Sequence, residues 1–205
     1  ASMYLKTIEE TEATGRVAEI YERHKAQTGF VMEAIACFTS RADLLPIYTD
    51  FSDKIRAGFS LDVRSWRLIT LVAAKVIPST YCSHVYSKQL IGDFCSKEAV
   101  LAVMRDYRTA GLSAQEVAML AYAEKIARDA SQVTEADIAA LRAAGFSDEQ
   151  IPDIALCAAF RCFVSRFFDA VGAGPEASFI DSDAAFRDAM MVGKPIDQAR
   201  RSDSQ

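Results

Sequence analysis

The sequence predicts an all-α fold, a single-domain bundle of many helices. Apolar residues recur at helical spacing along most of the chain. These runs open on capping residues and close on glycine or proline. No stretch of useful length alternates apolar and polar residues with the period of a strand.

The elements follow in order. "EATGRVAEIYERHKAQTG" carries Val17, Ile20, Tyr21 and His24 on one stripe and stops at Gly29. "RADLLPIYTDFSDKIRAG" places Leu44, Leu45, Tyr48, Phe51 and Ile55 on another. "LDVRSWRLITLVAAKVI" reads as a mostly buried helix ended by Pro78, which cannot extend it. "STYCSHVYSKQLIGDF" follows at once, then "KEAVLAVMRDYRTAG". "SAQEVAMLAYAEKIARDA" opens with a capping box from Ser113 to Glu116. "TEADIAALRAAG" ends at Gly145, placed for a left-handed cap. "SDEQIPDIALCAAFRCFVSRFFDAVGAG" has a second capping box, Ser147 to Gln150, and closes on Gly172 and Gly174. "DSDAAFRDAMMVGKPI" reads as a last amphipathic helix, an arm onto a neighbouring subunit. The expected organisation is a helical domain over 1–178, then a C-terminal arm and polar tail over 179–205.

With 205 residues, 51% of them hydrophobic, the chain can bury a sizeable core. The formal net charge is −5, and no basic patch or zinc-finger spacing points to nucleic acid. The "SDEQ" start is acidic where a DNA-recognition helix wants positive charge. Arg200 and Arg201 lie in a polar tail read as a frayed end. The apolar run 154–173 is interrupted by Arg161, Arg166 and Asp169, so it reads as a core helix rather than a membrane span. No signal peptide is recognised, and "ASM" reads as an added stub ahead of a native start at Met3.

The cysteines, Cys37, Cys82, Cys95, Cys157 and Cys162, are odd in number, which suggests a reduced, cytoplasmic chain. No pair has C-x-x-C spacing. Cys157 and Cys162 lie about 140° apart on a helix and cannot bridge locally. Cys37, Cys157 and Cys162 read as core residues. No cofactor is expected. The histidines, His24 and His84, are too few for a histidine-rich metal site, and Met190–Met191 lack partners for a copper site. His24, Glu116 and Glu124 read as packing, capping and surface residues.

One stretch, "IPSTYCSHVYSKQL", carries the chemistry. With Ser79 as N-cap, Cys82 falls at the third helical position, beside free backbone N–H groups and the positive end of the helix dipole. That placement favours a nucleophilic thiolate. Ser79, Cys82 and Tyr86 share one face at i, i+3 and i+7. His84 lies about 200° round the helix from Cys82 and points away from it. The plainer reading makes Cys82 a core cysteine and His84 a surface or interface residue.

The stretches "EIYERHKAQTGF", "RSWRLITLVAAKVIPSTYCSHVYSKQL" and "GLSAQEVAMLAYAEKIARDASQVTEADIAALRAAGFSDEQIPDIALCAAFRCFVSRFFDAVGAGPE" resemble the alkylhydroperoxidase D-like, or carboxymuconolactone decarboxylase-like, superfamily. More narrowly they resemble its uncharacterised peroxidase-related branch, over roughly residues 15–178. The resemblance implies an all-α homo-oligomer, from dimer through trimer to hexamer, with antioxidant thiol chemistry. The family motif is a glutamate, a C-x-x-C and a histidine acting as a proton relay. Carried over, its second cysteine is Cys82, its first falls on Ser79, its histidine on Tyr86 and its glutamate on Arg67.

Three readings stay open. The first is a one-cysteine oxidoreductase acting on a peroxide. There Arg67 and the helix N-terminus hold the Cys82 thiolate, Tyr86 donates a hydrogen bond, and an external thiol or Cys95 resolves the oxidised sulfur. The second is a cofactor-free decarboxylase, lyase or isomerase whose Arg67 clamps a small organic acid, with Tyr86 or Cys82 as acid or base. The third is a non-catalytic small-molecule binder, its pocket lined by Tyr81, Trp66 and Phe94. Either a peroxide or an organic acid is thus the expected small-molecule partner, with neither nucleic acid nor membrane.

Overall fold

The computed structural model describes residues 3–196, so the expected frayed end at Arg200 and Arg201 lies outside the described residues. The α-helices are α1 (Gly15–Thr28), α2 (Glu33–Ala36), α3 (Leu44–Ala57), α4 (Val63–Val76), α5 (Thr80–Asp93), α6 (Lys97–Asp106), α7 (Ala114–Asp129), α8 (Glu135–Ala143), α9 (Gln150–Val171) and α10 (Ala184–Met190). No strand occurs among the described residues.

The centre of the bundle is α4, which packs against α5, α7 and α9. Its sequence explains this: from Leu68 to Ala74 every residue is buried. Helix α9 lies across it, with Ile154, Ala158 and Val164 fully enclosed. No described helix is long and apolar enough to cross a membrane.

The stop and start signals act as expected. Gly29, Gly145 and Gly172 all have positive φ, which carries almost no penalty for glycine. The Ser113–Glu116 box closes reciprocally. Ser147 and Gln150 also exchange their bonds, but the α9 helix proper begins only at Gln150. One expected stripe is altered. On α3 Phe51 is half exposed, while Thr49 and Ser52 are buried, because the inner face of α3 looks onto a cavity rather than a dry core.

Helix α5 is enclosed on every side: Thr80 to Ser87 are all buried. The C-terminal segment supplies part of that enclosure. Helix α10 packs on α5 and α6 of its own chain, with Phe186 and Met190 wholly buried. Asp181 accepts from Lys88 and Lys97. Gly193 donates its N–H to Thr80, and a Cβ there would sit 2.5 Å from the Pro78 carbonyl oxygen. The segment expected as an arm onto a neighbour therefore braces the start of α5, because its apolar face finds that helix within reach.

Candidate functional site

The start of α5 is built as its sequence predicts. The Ile77–Pro78 peptide is cis. Ser79 caps the helix, its Oγ accepting from the Cys82 N–H at 3.3 Å. Cys82 is 3% exposed and forms part of the wall of a cavity of about 340 Å³. Tyr81, Val85, Tyr86 and Gln89 contribute from the same helix.

The partners of Cys82 come from α9. Its Sγ lies 3.0 Å from the Ser165 hydroxyl and accepts from Arg161 Nη1 at 3.4 Å. Arg161 and Ser165 stand one turn apart, so one helix face presents both. The other terminal nitrogen of Arg161 donates to the Tyr86 hydroxyl at 2.9 Å. Helix α3 supplies the third side. Arg56, at the cavity mouth and partly in solvent, reaches in to donate to the same hydroxyl at 3.2 Å.

This arrangement sets the electrostatics. Tyr86 accepts from two guanidinium groups, and no described group accepts its own proton. Burial raises its pKa, but Arg161 and Arg56 outweigh burial and hold it below the ordinary phenol value. Burial opposes the charge of Arg161, yet Tyr86 and Cys82 beside it favour that charge more, and its pKa is raised. Neither Arg56 nor Arg161 makes an ion pair with a described carboxylate. By contrast, burial pushes the Cys37 and Cys157 thiols up to about 12.

The remaining walls are aromatic and apolar: Tyr48, Tyr81, Phe168, Met32 and Ile35. The Tyr81 hydroxyl leaves the cavity to donate to Glu176 at 2.7 Å. Glu176 also accepts from the Glu33 N–H, which ties α2 to the loop after α9. Burial lifts the Glu176 carboxyl to about 6.

The structure brings together Cys82, Tyr86 and Tyr81 and places the other candidates elsewhere. Ser79 acts through the cap. Arg67 turns outward, bonding Asp93 and the Gln89 carbonyl, its guanidinium over the Phe94 ring. It does not line the cavity. Phe94 is exposed and away from the cavity, and Trp66 lies behind Arg56, whose guanidinium stacks on its ring at 4.8 Å. His84 faces away from Cys82, as the helix geometry requires, but it is wholly buried rather than at a surface. Burial holds it down at about 4, against the opposing pull of the Phe179 backbone, so it is neutral and enclosed in its own chain. Cys95 sits beyond the far end of α5, roughly 18 Å along the axis from Cys82, near Arg64. All five cysteines are free.

Sequence reasoning missed Arg161, Ser165 and Arg56. Two signals point to them: a charged and a polar residue one turn apart inside the most apolar helix, and Thr49, Ser52 and Arg56 along one face of α3.

No family model and no curated protein matches the sequence. Solved structures do match. An uncharacterised peroxidase-related protein from Ralstonia eutropha JMP134, described as an alkylhydroperoxidase AhpD core, superposes with a TM-score of 0.80 at 22% identity, over 87% of this chain and 95% of that one. An uncharacterised peroxidase-related protein from Silicibacter sp. TM1040 gives 0.72 at 23% identity, over 87% and 97%. The debrominase Bmp8 gives 0.74 at 17% identity, over 90% and 96%. It has also been solved with a cysteine changed to alanine and 2,3,4-tribromopyrrole bound. The chain thus has the all-helical fold of the alkylhydroperoxidase AhpD core, the fold of peroxidase-related proteins and of a debrominase.

Proposed function

We propose that the protein is a one-cysteine thiol oxidoreductase that reduces a small electrophile in the α3–α5–α9 cavity. One observation carries the reading: Cys82 opens onto that cavity with Arg161 and Ser165 on its sulfur and the doubly held Tyr86 one turn further along α5. A guanidinium N–H bonds sulfur most strongly when the sulfur is anionic, and the thiolate is the attacking form. The likeness to peroxidase-related proteins and to a debrominase supports the class.

In the reaction the Cys82 thiolate attacks the electrophilic atom of the substrate, a peroxide oxygen or a ring halogen. With a peroxide, an S–O bond forms and the O–O bond breaks. The electron pair leaves on the alkoxide, which takes a proton from Tyr86. With a halogenated ring, an S–halogen bond forms and the C–halogen pair stays on carbon, which takes the same proton. The substrate gains two electrons in either case, and the sulfur reaches the sulfenyl level. No other thiol stands at the site, so an external low-molecular-weight thiol completes the cycle. Its first equivalent forms a mixed disulfide with Cys82 and releases water or halide. Its second frees Cys82 and leaves as the oxidised disulfide. A proton from solvent restores Tyr86.

The test is consumption of cumene hydroperoxide and of a bromophenol with glutathione, with a dimedone trap read by peptide mass spectrometry. Turnover lost in Cys82→Ser, with dimedone on Cys82 of the native protein, supports the reading. Equal turnover in Cys82→Ser removes it.

The exposed rings of Phe51 and Phe163 flank Phe160 beside the cavity and supply a face for self-assembly, in line with the expected homo-oligomer. Sedimentation of a Phe51→Asp, Phe163→Asp protein tests this. A native assembly that dissociates in the variant supports it; a native monomer, or an unchanged assembly, ends it.

A further inference from the structure

We infer that the cavity takes a small planar organic anion, a one-ring aromatic acid in its ionised form, with its charge at Arg56, Arg161 and Tyr86 and its ring against the wall formed by Tyr48, Tyr81 and Phe168. This names the substrate class of the site proposed above and rests on the same cavity, but it does not require that Cys82 turn over.

Charge is the first argument. Arg161 is 3% exposed, and its hydrogen bonds go only to Tyr86 and Cys82. Arg56 brings a second cation to the same hydroxyl. A buried cation without an anion is costly, and Arg161 has no described carboxylate beside it. The other charged groups at the cavity are already committed. Asp53 at the rim pairs with Arg23 at 2.9 Å. His24 is held toward its neutral form by burial and Arg23.

Unpartnered groups are the second argument. Arg161 Nε and Thr49 Oγ1 are buried polar atoms without a hydrogen-bond partner, and both residues line this cavity. Such atoms are rare in folded proteins and call for an occupant. They lie on α9 and α3, so two walls of the cavity each carry a donor for a ligand that accepts hydrogen bonds.

Shape is the third argument. Rings on α3, α5 and α9 face the same space, and Tyr81 and Phe168 stand 5.5 Å apart, tilted to one another. An apolar cavity of about 150 Å³ already accepts benzene, so about 340 Å³ holds one ring with bulky substituents. Hydrogen peroxide alone would leave most of these walls bare. An aliphatic dicarboxylate would place a second charge against aromatic faces.

The probe is para-nitrophenol, whose coloured anion reports its own ionisation, with para-nitroanisole as the neutral counterpart. Both are titrated into the full chain with Cys82→Ser to prevent turnover. The anion is expected to bind at least about tenfold more tightly than the ether, and the coloured fraction to rise on binding at fixed pH. Arg161→Met or Arg56→Gln is expected to lower the affinity for the anion about tenfold and to leave that for the ether unchanged. Arg56 sits at the mouth, so its variant keeps the test alive if loss of Arg161 prevents folding. Equal affinity for anion and ether, or an anion affinity unchanged in the folded variants, overturns the inference. Anion binding without thiol-dependent turnover removes the oxidoreductase reading and leaves this one; turnover with a preference for the ether does the reverse.

Discussion

The guanidinium of Arg161 donates to the sulfur of Cys82 at 3.4 Å across 79 positions of chain. Helix α9 thereby supplies the cation for a thiol carried in the first turn of α5. Labelling with iodoacetamide at neutral pH is expected to modify Cys82 well ahead of Cys37 and Cys157, which burial keeps protonated. Arg161→Met should slow the labelling of Cys82 and leave that of the half-buried Cys95 alone. Peptide mass spectrometry reads both, and an unchanged Cys82 rate in the variant would count against the role given to Arg161.

Tyr86 is the proton source in the proposed reaction. Tyr86→Phe should lower kcat by about two to four orders of magnitude, the usual range for a lost general acid. The Arg56 and Arg161 charges hold the Tyr86 phenol below its ordinary range. Activity should therefore fall with rising pH earlier than an ordinary tyrosine would allow. In Arg56→Gln one of those charges is gone, so the limb should move to higher pH. A pH–rate profile of the two proteins checks the sign.

The resemblance carried the motif glutamate onto Arg67, but the partner of Arg67 is Asp93, which is more than half exposed. Such pairs contribute about 0–1 kcal/mol. Arg67→Ala is expected to leave turnover within about twofold, a difference of less than 1 kcal/mol, and to lower the thermal midpoint only slightly. A collapse of activity would return Arg67 to the site.

His84 makes the fold acid-sensitive. The buried ring titrates at about 4, against an ordinary value of 6.5, with Lys88, Arg187 and Asp181 as its charged neighbours. Below 6.5 the unfolded chain binds a proton that the folded chain refuses. Stability is therefore full above 6.5 and falls as the pH drops toward 4, by roughly 3 kcal/mol in all. Glu176 opposes this: raised from 4.5 to about 6, it favours the folded state as the pH falls across that interval. His84→Gln should isolate the two, with a urea midpoint that no longer falls between pH 7 and pH 5.

Much of this protein was legible in its sequence, because helices and caps are local. Gly29, Gly145 and Gly172 end helices where the periodicity stops, and Ser79 caps Cys82 three residues away. The direction of His84 relative to Cys82 also follows from helical rotation alone. Its burial does not, since α10 and the segment before it close that side.

The partners of Cys82 could not be read locally. A polar residue in an apolar helix has the same signature whether it faces solvent, a neighbour or a cavity, and only packing assigns the face. Arg161 and Arg67 are both arginines on largely buried helices. Packing turned one toward the thiol and the other toward Asp93. By itself the sequence determined the all-helical bundle, the capped turn and the lone cysteine at its start. The tertiary structure decided which cations reach that cysteine and its tyrosine, because α3, α5 and α9 meet only when the apolar face of α4 is buried.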